Sequence, residues 1–100
     1  MKKRKRSVRS SGDVFADLGF GSREAENLRV RAQLMAEIER YIRKQGISQA
    51  TAARQLGVSQ PRISDLVRGK IHLFSVDTLI AMIAHAGLRV DVRVKRSRAA

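Results

Sequence analysis

The sequence predicts an all-α fold, a bundle of four to five short helices that ends in one C-terminal strand. Three observations carry this expectation. Serines stand where helices need N-caps, at Ser22, Ser48, Ser59 and Ser75. Glycines stand where the same helices must stop, at Gly46, Gly57, Gly69 and Gly87. Between them apolar residues recur at three- and four-residue steps, until "LRVDVRV" at 88–94 changes the period to two.

The first helix follows Ser22, with Glu24 and Glu26 placed favourably against the helix dipole in its first turn. Leu28, Ala32, Met35, Ile38 and Ile42 form one apolar face, with Leu34 and Tyr41 alongside. The second helix is "QATAARQL" and the third "QPRISDLVR", where Pro61 sits in a first turn that does not need its missing N–H. The fourth, "VDTLIAMIAHA", turns Leu79, Met82, Ile83 and Ala86 inward. Upstream, "DVFADLGF" collects Val14, Phe15, Leu18 and Phe20 in a short segment broken by Gly19 and Gly21. It reads either as one helical turn covering the core or as a docking segment for a partner.

The strand at 88–94 sets Leu88, Val90, Val92 and Val94 against Arg89, Asp91 and Arg93. No second strand is evident elsewhere in the chain. A lone strand leaves its N–H and C=O groups unpaired, and the simplest cure is the same strand of a second copy. Leu88, Val90, Val92 and Val94 are therefore the expected dimerisation residues, unless the segment frays or pairs with a foreign chain.

With 100 residues and 43% hydrophobic content, the chain suits a single domain with one modest core. Aromatics are only 4%, which points to an aliphatic core. The absence of cysteine removes disulfides, thiolate metal sites and thiol nucleophiles, and fits a reducing compartment. No apolar run approaches the roughly 20 residues that span a bilayer, and no apolar segment follows the basic N-terminus as in a signal peptide. A soluble, cytoplasmic protein is expected.

The net charge of +12 sits mostly on two ends. Six basic residues lie within 1–9 and three within 95–100, leaving twelve basic against nine acidic residues between them. The expected organisation is a structureless basic arm at 1–12, one domain at 13–94 and a basic tail at 95–100. Such ends are usually solvated. They also add a salt-dependent attraction to phosphates, though charge alone does not separate nucleic acid from an acidic protein or an anionic membrane.

Residues 49–68 carry the chemistry. Two short helices joined by a tight turn must cross closely, so a small residue is needed at Ala53, and the left-handed stop needs Gly57. Leu56, Val58, Ile63 and Leu66 fall where side chains must bury to hold the crossing angle. Gln60, Pro61, Arg62, Ser64, Asp65 and Arg68 are left facing outward. As a set, these constraints specify a helix-turn-helix.

"GISQATAARQLGVSQPRISDLVRGK" resembles the Cro/C1-repressor, or XRE-type, helix-turn-helix domains. "DVFADLGFGS", the long first helix and "FSVDTLIAMIAHAGLRVDVRV" resemble, more narrowly, HigA-like antitoxins of toxin–antitoxin pairs, over roughly residues 13–94. The resemblance implies a lambda-repressor-like bundle whose third helix enters the DNA major groove. Ser59, Gln60, Pro61, Arg62 and Ser64 then lie where such domains reach bases, with Asp65 close behind. Gln60 suits adenine, Arg62 guanine, and the Pro61 ring a thymine methyl, whereas Asp65 could read cytosine or orient Arg62. Gln49, Arg68 and Lys70 suit phosphates. Pro61 has no donor and Asp65 repels phosphate, which are departures from the family pattern.

The same resemblance implies a homodimeric repressor of a palindromic operator that also neutralises a RelE/HigB-like ribonuclease toxin; the apolar Val14, Phe15, Leu18 and Phe20 are the candidate toxin-facing residues, with the C-terminal strand as the rival surface. A stand-alone XRE-type regulator and a protein-binding inhibitor using the motif only as scaffold are the alternatives. Catalysis is not expected. His72 and His85 are far apart in sequence, no glycine-rich phosphate loop follows a strand, and Ser59 and Ser64 have no neighbouring base. No metal or cofactor is implied.

Overall fold

Ser48, Ser59 and Ser75 each hold an extended backbone and turn a hydroxyl onto the N–H three residues on. Their oxygens accept from Thr51 N–H at 3.1 Å, Arg62 N–H at 3.4 Å and Thr78 N–H at 3.1 Å. Each such cap contributes about 1 kcal/mol and lets a helix begin soon after the previous one stops. The computed structural model describes residues 14, 15 and 17–96. The expected basic arm at 1–12 and the last residues of the tail, 97–100, lie outside them. Among the described residues, α1 (Ser22–Gln45), α2 (Gln49–Leu56), α3 (Gln60–Val67) and α4 (Val76–His85) follow in order. One turn of 3-10 helix, Ile71–Leu73, links α3 to α4.

Two local expectations need correction. Ser22 is not the cap of α1. Gly21 takes that position, its carbonyl accepting the first helical bond from Ala25 N–H at 2.8 Å, and no side chain caps the helix. The first turns of α1 instead carry Glu24 and a Glu26–Arg29 ion pair at 2.7 Å. The hydrogen bonds from Arg29 hold the Glu26 carboxyl below the usual carboxylate range. Helices α3 and α4 also end one residue early, because Gly69 and Gly87 in the left-handed region make Arg68 and Ala86 the half-helical caps.

The core is where the apolar spacing puts it. Leu28, Met35 and Ile38 of α1, Ala52, Ala53 and Leu56 of α2, Ile63 and Leu66 of α3, and Leu79, Met82 and Ile83 of α4 are buried. The expectation of a purely aliphatic core fails at one residue. Phe74, just after the 3-10 turn, is fully buried and clusters with these side chains, Leu28 apart. Burying a side chain of that size contributes about 1.5–3 kcal/mol. Val14, Leu18 and Phe20 are exposed and do not cover the core. Phe15 and Phe20 meet edge to face at 6.4 Å.

The expected strand is absent from the described chain. Residues 88–94 have no regular secondary structure, since none of the described segments offers an edge to pair with. Val90 is half-buried against the core, whereas Leu88, Val92 and Val94 are exposed.

Three residues, Gly57, Val58 and Ser59, join α2 to α3. Gly57 has φ +71°, and Val58 N–H donates back to Ala53 O at 3.0 Å. The ring of His85, from the end of α4, lies against Gly57, so that an added Cβ would sit 2.7 Å from it. The ring Nδ1 is 3.0 Å from Gln55 O, and with a proton there it donates to this carbonyl in the last turn of α2. Tyr41 Oη of α1 donates to Gln55 Oε1 at 2.6 Å. Gln55 is thus the junction of α1, α2 and α4.

Gly57→Ala combines a left-handed alanine with a clash, and should lower the unfolding free energy by about 2–4 kcal/mol. Gly46→Ala has a similar φ of +64° but open space around it, so about 1 kcal/mol is expected. Urea unfolding of the two variants checks the difference.

Candidate nucleic-acid interface

Helix α3 buries Ile63 and Leu66, and its geometry then decides where every other residue points. Pro61, Ser64, Asp65 and Arg68 recur at three- and four-residue steps and share the face away from the core, with Gln60 beside Ser64. Gln60, Pro61 and Arg68 are exposed, and Ser64 and Asp65 are half-exposed. Ser59 is spent as the cap, its hydroxyl accepting from Arg62 N–H. Gln49, the first residue of α2, is half-buried, next to the capping Ser48.

Arg62 does not belong to the outward face, contrary to expectation. It lies one residue before buried Ile63 and one turn before buried Leu66, so its side chain runs along the flank of α3 toward the turn before α4. Its guanidinium carbon sits 4.4 Å from the centroid of the Phe74 ring, and Nη1 donates to Leu73 O at 3.2 Å. A cation over an aromatic face and a charged hydrogen bond to a carbonyl both favour this placement. A guanine contact would break both.

Arg31 of α1 holds the same turn from the other side. Its Nη1 donates long bonds to Ile71 O at 3.4 Å and Phe74 O at 3.5 Å, while Nε donates to Asn27 Oδ1 at 2.7 Å. Residues 71–74 are therefore gripped by two arginines, one from each neighbouring helix. Neither role is visible in the sequence as a motif. The one available signal is the step of four from Arg62 to Leu66.

Asp65 does not orient Arg62. Its Oδ1 lies 3.6 Å from Lys70 Nζ, and Lys70 N–H donates to Asp65 O at 3.1 Å. The pair is partly exposed and weak. It nevertheless offsets the repulsion that a bare carboxylate would exert on phosphate, and leaves Arg68 as an exposed cation at the end of α3. Among the described residues no group of His, Cys, Asp or Glu is arranged to hold a metal ion, and no helix is long and apolar enough to cross a membrane.

Arg62→Ala should lower the unfolding free energy by about 1–2 kcal/mol, through loss of the ring and carbonyl contacts. Arg68→Ala, on an exposed cap, should change it by less than about 0.5 kcal/mol. Parallel thermal unfolding of the two variants checks the assignment of one arginine inward and the other outward.

A model of the helix-turn-helix domain family matches residues 14–95. A solved structure named as an XRE family transcriptional regulator is similar to this chain, with a TM-score of 0.67 and 28% sequence identity. The match covers 75% of this chain and 84% of that one. No curated protein sequence matches. Two serine-capped helices joined through the left-handed Gly57, with an outward polar face on the second, agree with the family match over most of the chain, and the protein belongs to the helix-turn-helix domain family.

Proposed function

We propose that the protein is a sequence-specific DNA-binding transcriptional repressor. The observation that carries this reading is the outward face of α3, where Gln60, Pro61, Ser64, Asp65 and Arg68 project from a helix anchored by Ile63 and Leu66. In the major groove such a face offers Gln60 to adenine and the Pro61 ring to a thymine methyl. Gln49 and Arg68 suit phosphates, as does Lys70 once it turns from Asp65. The similarity to an XRE family transcriptional regulator supports the same reading. Binding, with no catalytic step, is the proposed activity, in the cytoplasm.

The protein acts as a homodimer in this proposal, its two α3 helices about 34 Å apart on a palindromic operator. The basic arm at 1–12 adds attraction to phosphates without reading sequence. We further propose that it is the antitoxin of a HigBA/RelE-like pair, repressing its own operon and neutralising a ribonuclease toxin. The exposed Val14, Leu18 and Phe20, beside half-buried Phe15, support a protein partner and favour this over a stand-alone regulator.

Footprinting on the DNA upstream of its own gene, with and without the adjacent gene product, tests the whole proposal. A protected palindrome whose occupancy responds to that product is expected. No protected site would sink the repressor reading, and a site indifferent to the neighbour would sink the antitoxin reading. Gln60→Ala should lose about 1–3 kcal/mol of discrimination at one base pair. Deleting residues 1–9 should weaken all DNA alike and flatten the salt dependence. Competition binding at two salt concentrations separates these outcomes.

A further inference from the structure

Beyond α4 the chain keeps a two-residue alternation without a partner. Arg89 Nε and Asp91 Oδ1 lie 3.8 Å apart, both side chains about nine-tenths exposed, so residues two apart share a side. Val90 is turned the other way, half-buried against the core. Among the described residues, 89–94 make no backbone-to-backbone hydrogen bond. Leu88, Val92 and Val94 are 44%, 78% and 89% exposed. Alongside runs a groove of about 610 Å³ between α1, α4 and this segment, with Leu34, Ile38, Leu56 and Ile83 among its lining residues.

We propose that the segment pairs with the same segment of a second copy, antiparallel, about a two-fold axis through Val90. This rests on the dimer reading above and gives it a register. Directly opposed residues of an antiparallel pair share a face, so apolar meets apolar only when the axis passes through a residue. An axis at Asp91 opposes two carboxylates and sets Arg89 against another arginine. One at Arg89 opposes two guanidiniums. One at Val92 pairs Asp91 with an arginine but sets Arg89 against a lysine and Leu88 against an arginine. Of the axes within 89–92, the one at Val90 alone opposes no like charges. It sets Arg89 against an aspartate twice over, Leu88 against a valine, and Val90 against itself. A two-stranded ribbon is marginal by itself. Here each Val90 already rests on its own core, and the incoming valine comes down beside Leu88 at the lip of the groove.

The chain has no cysteine, so single-cysteine variants report the register directly. Val90→Cys, Asp91→Cys and Val92→Cys are compared for dimer cross-linking with a short thiol-to-thiol linker, with sedimentation of the unmodified protein in parallel. Strong cross-linking at 90 and little at 91 or 92 is expected. A maximum at 91 or 92 overturns the register while keeping the dimer. A dimer that cross-links at none of the three overturns the surface. A monomer at concentrations that saturate the operator overturns the dimer reading itself. Asp91→Arg should weaken dimerisation about tenfold, and adding Arg89→Asp should restore it, with helix content unchanged.

Discussion

The arrangement depends on the turn that ends α2 and leads into α3, and Gly57 sets its shape. Its left-handed backbone ends α2, and its missing side chain makes room for the His85 ring. The same histidine reaches the Gln55 carbonyl, and Gln55 also takes the Tyr41 hydroxyl. One turn thus receives α1 and α4 together. Fixing it fixes the direction in which α3 projects, because the buried Ile63 and Leu66 leave α3 no other way to lie.

The second constraint is on the far side of α3. Phe74 is fully buried directly after the 3-10 turn, and Arg31 and Arg62 bind the carbonyls around it. Two long, costly side chains are ordered here, against an entropy loss of up to about 2 kcal/mol each. The aromatic face and the carbonyls offset that loss. In exchange the link between α3 and α4 is held at both ends, although it contains no long regular element.

Most of the helical framework was legible because its signals are local. A serine cap acts over three residues, and a glycine stop over four or five, so Ser48, Ser59, Ser75, Gly57, Gly69 and Gly87 speak for themselves. The apolar faces of α1 and α4 follow from periodicity alone. Ser22 misled because a glycine beside it can take the cap conformation equally well. Arg62 misled because charge suggests solvent, whereas its contacts are made to residues eleven and twelve positions away. Phe74 hid for the same reason, as a single aromatic in a loop. The strand at 88–94 was legible as an alternation only. A strand is a relation between two backbones, and the described residues offer no second one.

The stapling of α3 to α4 through residues 71–74 has a consequence for any two-fold assembly built on the end of α4. In the dimer proposed above, with α3 on the DNA, the separation of the paired probes would be inherited from the stiff frame that Arg31 and Arg62 make of this link. Such a frame works as a calliper. Half-sites moved apart by a single base step rotate out of its grasp, so that spacing is discriminated by rigidity and bases by side chains.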